Sequence, residues 1–305
     1  MIDLRYHIVS LVAVFLALGM GILIGSTLVS SDVVTEQQNK MASQLKTQFE
    51  DLQKREDTLS KENAFVNLMV KNYEEYAQTV SAPMMRDRLQ GYRIAVVVTG
   101  GQQIPAGMLN TLSLAGVKIT STTVILPAIV LDDPQLKIKL CDFYGISHDT
   151  ATADLQRLVA TSVANILLRD QSGPTRAFLQ ENDLVKFNGR YGPGSGMNQA
   201  VQGVVLIGGA VEETANNAEN IDLPLIMNLK AASQKIFACE GSRVPISFMA
   251  KYQQLEITTI DDVDIAPGQV ALVRAMEGET GHYGIKPTAR KFMPSLPTAD
   301  LEEHQ

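Results

Sequence analysis

The hydrophobic pattern divides the chain into three unlike stretches. From Ile8 to Val29 the run IVSLVAVFLALGMGILIGSTLV holds 22 positions without a charge. At about 1.5 Å of rise per residue, a helix of that length crosses a hydrocarbon core about 30 Å thick. An uncleaved membrane anchor is therefore expected over residues 1–30. A secretory signal peptide is the competing reading, but its apolar core commonly covers only about 7–15 residues. The nearest cleavage-like triplets, Val29-Ser30-Ser31 and Thr27-Leu28-Val29, carry branched residues where the peptidase prefers alanine or glycine.

From Val33 to about Val80 the pattern turns polar and charged, without glycine or proline. Within it Leu45, Leu52, Leu59, Val66 and Tyr73 recur with a heptad period. Taken as d positions, they put Ala42, Phe49, Glu56, Asn63, Val70 and Ala77 at a. This predicts a coiled-coil stalk over residues 31–82. Glu56 and Asn63 lower its stability, while an Asn at a fixes register and favours two strands. A solvated helix lying against the following domain is the other reading. Gly21-x-x-x-Gly25 is a close-approach pattern for paired membrane helices, so anchor and coil together predict a parallel homodimer.

Pro83 is expected to stop the long helix, and beyond it the pattern changes again. Arg93 to Thr99 is a β-branched run ending in Gly100-Gly101, and Gly203 to Ile207 ends likewise in Gly208-Gly209. Such continuous apolar runs suit strands buried on both faces. Helices are expected over Pro105–Ala115, Thr152–Arg169 and Leu223–Lys235. Further strands are expected over Val117–Ile125, Lys235–Cys239 and Gln269–Arg274. The alternation predicts a Rossmann-like α/β ectodomain with a mostly parallel sheet over residues 91–290. Phe187–Gln202, with four glycines and a proline, reads as a surface loop, and residues 291–305 as a loose tail.

Composition narrows the function. The 305 residues carry a net charge of −7, no Trp and no basic run, which excludes a nucleic-acid binder. Arg5 and the amino terminus precede the apolar run and Asp32 and Glu36 follow it. Positive charge stays on the cytoplasmic side, so the ectodomain is expected outside the cell membrane, with a single span. Cys141 and Cys239 form no CxxC. They are compatible with a disulfide, two buried thiols or a split metal site.

Chemistry-bearing motifs are sparse. Gly100, Gly101, Gly208 and Gly209 follow strands, where α/β sheets bind phosphates against helix N-termini. Neither pair completes a GxGxxG or GxxxxGK[ST] motif, and tight strand-to-helix turns are the favoured reading. Gly194-Ser195-Gly196 is not a nucleophile elbow. His282, between Gly281 and Gly284, is the most site-like of the four histidines, against the plainer reading of a turn histidine. Twelve methionines are scattered, as core filler usually is. A metal site would have to be assembled by the fold from Cys141, Cys239 and His148. No enzyme activity is expected.

The string Met1-Ile2-Asp3-Leu4-Arg5-Tyr6-His7-Ile8-Val9-Ser10-Leu11, running into Gly19-Met20-Gly21-Ile22-Leu23-Ile24-Gly25, carries a further signal. With Pro267-Gly268-Gln269-Val270-Ala271-Leu272-Val273 and Gly281-His282-Tyr283-Gly284, it resembles the mycobacterial copper transport protein family (MctB-like). The resemblance implies copper transport or homeostasis, with copper as the candidate ion, and supplies no ligand set. Some relatives are thought to pair with a second membrane protein and influence cell-wall hydrolysis during cell separation. A coiled-coil envelope scaffold of that kind is one alternative, and a ligand-sensing α/β domain another. The family has also been described as an outer-membrane channel. Such pores are barrels of repeated strands of about ten residues with alternating faces, a repeat this sequence lacks. A binding or scaffolding subunit, not a pore by itself, is the expectation.

Overall fold

The computed structural model describes residues 4–29, 32–169, 173–190 and 201–295. Its contacts divide the chain into two units, Met1–Lys71 and Asn72–Gln305. In the first, α1 runs Leu4–Val29, and its segment Tyr6–Thr27 is long and apolar enough to cross a membrane. The helix α2 runs Asp32–Met85. Within the first unit its heptad residues Leu45, Leu52, Leu59 and Val66 are 54–64% exposed.

The second unit begins inside α2. Pro83 sits within the last turn, and the helix ends just beyond it. Arg86 N closes onto Ala82 O, and Asp87 then turns left-handed at φ 62°. Proline removes one backbone donor and crowds the preceding turn, which a final turn tolerates better than a helix interior. Met85 is buried in the core, and Met84 packs beside it.

The core of this unit is a seven-stranded sheet in the order β3-β2-β1-β4-β5-β6-β7. The strands are β1 Arg93–Val98, β2 Lys118–Ile125, β3 Val185–Gly189, β4 Gly203–Ile207, β5 Lys235–Cys239, β6 Thr258–Ile260 and β7 His282–Tyr283. All neighbours are parallel except β2 and β3. The expected mostly parallel α/β fold is what forms. The sheet is open and helices cover both faces.

Period-two alternation sorts the strand residues onto those faces. Ala95, Val97, Val204 and Leu206 join one core with α4 (Pro134–Tyr144), α5 (Thr152–Arg169), α6 (Gly173–Glu181), α7 (Leu223–Ala231) and α8 (Met249–Gln253). Ile94, Val96, Val98, Val205 and Ile207 join the other with α3 (Ala106–Leu114) and α9 (Ala266–Glu277). From β1 the chain crosses to β2 over α3, whereas from β4 it moves the opposite way to β5 over α7. The reversal lies between β1 and β4.

Three expectations change. Gln269–Arg274 is not a strand but the middle of α9, where Gln269 to Val273 are all buried. A helix buried all round has no polar stripe, so it reads as a continuous apolar run. The start signal was Pro267 in the first turn, which suits a helix and not a central strand. Phe187–Gly189, at the head of the expected loop, belongs to edge strand β3, and residues 191–200 of that loop lie outside the described residues. Residues 291–295 dock instead of trailing: Lys291 bridges Tyr283, and Ser295 N donates to Glu279 Oε1 at 3.2 Å. Residues 296–305 lie outside the description.

Candidate functional site

In open α/β sheets ligands enter where strand order reverses, outside the carboxyl ends of the strands. Here that place joins the two glycine pairs singled out above. Gly100, Gly101 and Gly209 adopt φ of 62°, 73° and 80°. Thr99 N donates to Ile207 O at 2.9 Å, and Val211 N to Gly100 O at 3.2 Å. A Cβ on Gly100 would fall onto the carbonyl oxygen of Gly209, and one on Gly208 onto the phenol of Tyr252. The glycines thus let protein approach protein, and backbone from both turns closes the crevice.

Beneath the turns lies a buried polar network. Thr99 Oγ1 donates to Asp222 Oδ2 at 3.0 Å, and Tyr252 Oη donates to the same oxygen. Burial pushes the Asp222 carboxyl up to about 6, with nearby Glu240 adding to the rise and the Tyr252 and Thr99 bonds opposing it. Burial also drives the Tyr252 phenol well above its ordinary value. Glu240, the residue after β5, accepts from Phe248 N at 2.5 Å, Ser247 Oγ at 2.7 Å and Lys286 Nζ at 2.7 Å. Asp261 and Asp262 follow β6. Asp261 accepts from Ile285 N at 2.8 Å, while neither oxygen of the buried Asp262 has a partner. Asp264 accepts from Ser242 N and Oγ at 2.6 and 2.7 Å.

Asp222 and Glu240, buried beside the turns, disfavour a phosphate there, so this crevice lacks the electrostatics that anion binding at a switch point needs. The network carries one direct prediction. The Asp262 carboxyl is pushed up to about 7, by burial first and then by Asp261 and Asp264. Its folded value lies above the unfolded one, so the folded state holds more protons between them and loses stability as pH rises from about 4 to 7. Asp262→Asn is expected to flatten that slope and to gain on the order of 1 kcal/mol at pH 7.5, read by thermal unfolding across the pH series. An unchanged slope would refute the assignment.

The proposed metal residues are dispersed. Cys141 is fully buried in α4, in the core on one face of the sheet, and Cys239 is fully buried in β5, in the core on the other. Both are free thiols. His148 is exposed, its Nε2 2.7 Å from Asp142 Oδ1. Among the described residues no three His, Cys, Asp or Glu are grouped to hold a metal ion. His282 lies apart from the crevice, in edge strand β7, with Nδ1 3.0 Å from Thr259 Oγ1. Thr99, Asp222, Glu240, Tyr252, Asp262 and Lys286 were not anticipated. Their available signal was position: Glu240 and Asp261-Asp262 each end a strand run, where α/β sheets gather their chemistry.

These features define a doubly wound α/β protein behind an apolar N-terminal helix and a long polar helix, with a self-filled switch point. The chain matches the family described as copper transport outer membrane protein, MctB, over residues 1–294, and it belongs to that family. It is similar to the proteins named copper transporter MctB from Mycobacterium tuberculosis and Mycobacterium bovis. Each is 24% identical over 320 aligned positions, which cover 93% of this chain and 96% of the relative.

Proposed function

We propose that this chain is a membrane-anchored, dimeric subunit of copper homeostasis that binds or scaffolds, and that it is not an enzyme. The observation that carries the reading is the apolar stripe of α2, whose Leu45, Leu52, Leu59 and Val66 are more than half exposed in the single chain. A helix with such a stripe buries it against a partner, and the heptad spacing fits a second copy of itself. Support comes from α1, where Cβ atoms at Gly21 and Gly25 would meet nothing within 4 Å, leaving room for a neighbouring helix. The copper role rests on the family and the named relatives, with copper as cargo or as an ion the assembly guards against. Tyr6–Thr27 would hold the chain in the cell membrane with the α/β unit outside.

The test complements a deletion strain with variants of the stripe. Leu52→Cys is expected to crosslink between chains in membranes under mild oxidant. Leu52→Glu with Leu59→Glu is expected to abolish the dimer and leave cells as copper-sensitive as the deletion. No crosslink from cysteine at Leu45, Leu52, Leu59 or Val66 would overturn the dimer. Unchanged copper tolerance in the deletion strain, with cells left in chains, would instead favour an envelope scaffold that acts on cell-wall hydrolysis with a second membrane protein.

A further inference from the structure

A cavity of the α/β unit lies away from the acidic crevice, where the amino ends of β6 and β7 meet the segment after β7. It measures about 630 Å³, within the range of small-molecule sites. Ile257 and Tyr283 give it apolar wall, Gln253 and His282 polar wall, and Arg290 and Lys291 its cationic side. Sequence order explains the convergence. Arg290 N and Lys291 N both donate to His282 O, at 2.9 and 3.2 Å, and Gly284 N donates to Lys291 O at 3.0 Å. The segment is thereby laced to the edge strand with its cations beside the imidazole.

Charge at this wall is unanswered. Among the described residues neither Arg290 nor Lys291 has an ion-pair partner within 4.0 Å. Among the described residues the one carboxylate that shares the lining, Glu256, is 88% exposed and has Oε2 3.6 Å from Lys230 Nζ, a cation outside the cavity. Arg290 and Lys291 outnumber it, so the described lining keeps a positive surplus.

His282 is set to donate into that surplus. Gln253 Nε2 donates to Thr259 Oγ1 at 3.3 Å and to Thr288 O at 3.1 Å. The Thr259 hydroxyl, accepting there, can give its own proton to His282 Nδ1. With Nδ1 accepting, the neutral ring carries its proton on Nε2. Burial and the neighbouring Arg290 both hold the ring below its ordinary pKa, so it is the neutral form that stands ready. The donors here are a guanidinium, an ammonium and an imidazole N–H, a set suited to oxygen anions.

We infer that this cavity binds a small ligand carrying an oxyanion, a phosphate or a carboxylate, held by Arg290, Lys291 and His282 with its body against Ile257 and Tyr283. The acidic switch point and the cationic edge cavity divide the unit into one face closed to anions and one open to them.

The test is isothermal titration of the full-length protein in detergent with inorganic phosphate and, separately, with acetate. Saturable binding of either is expected, and the one that binds more tightly names the ligand's head group. Arg290→Gln with Lys291→Gln should weaken it by at least about tenfold, since bonds to charged groups carry most of such affinity. Glu256→Gln should leave it unchanged or tighter. Arg290 and Lys291 are exposed, so an unchanged melting temperature will show that the double variant still folds. The chain has only four histidines, and one imidazole resonance, absent in His282→Asn, should shift on saturation. No saturable binding of either anion, or equal affinity in the double variant, would overturn the inference.

Discussion

Lys286→Met is expected to lower the melting temperature of the full-length protein by roughly 10 °C. Lys286 Nζ is 2.7 Å from Glu240 Oε2, with the lysine side chain 14% exposed and the carboxylate fully buried. Removing one member of such a pair strands the other charge without water, at about 3–5 kcal/mol. In a domain of this size each kcal/mol moves the midpoint by about 2–4 °C. Glu240 keeps its bonds from Ser247 Oγ and Phe248 N, which places the cost toward the lower end. Glu240→Gln added to Lys286→Met should recover most of the loss, because the stranded charge is then gone. A single variant within about 2 °C of the parent would show that the pair is solvated and that the buried network is misread.

Gly100→Val is expected to prevent accumulation of folded protein altogether. Its φ of 62° already costs a residue with a Cβ about 1–2 kcal/mol, and more when the side chain is β-branched. Beyond that strain the new carbon would fall on the Gly209 carbonyl, which is pinned by the sheet and cannot swing aside as a side chain can. Gly145→Ala separates the two effects. Gly145 has nearly the same φ, 65°, at the end of α4, but its Cβ would meet nothing within 4 Å. That variant should fold and lose only about 1–2 kcal/mol by chemical denaturation. If Gly100→Ala proves as mild as Gly145→Ala, the two turns are not packed as described.

The parts of this fold legible in the sequence are those with a strong local period. The β-branched runs at Arg93 and Gly203 became adjacent central strands, and Thr152–Arg169 is α5 to the residue, since its buried positions recur with helical spacing. The period failed where an element is buried on all sides, as in α9, or too short to show one, as in β6 and β7. The candidate site was half legible. Glycine after a strand marked the switch point, because tight turns demand it. The carboxylates beside that crevice gave no motif, since Asp222 ends the helical turn before α7 and Glu240 follows β5, and only the fold brings them together. His282 was noticed for its glycines, yet Gly281 is small to admit the Tyr283 ring, and the cavity beside it depends on Arg290 and Lys291 folding back onto β7.

The two native thiols have a practical consequence. Both are sealed, Cys239 with its thiol pushed up by burial and by the carboxylates of Asp262 and Glu240. Alkylating reagents can reach them only when the core opens, so their labelling rates read rare openings while the folded protein stays dark. Because Cys141 answers for one side of the sheet and Cys239 for the other, unequal rates would time the fraying of each layer separately. A cysteine engineered at exposed Lys54 of α2, outside its apolar stripe, would meanwhile react at once, against a silent background.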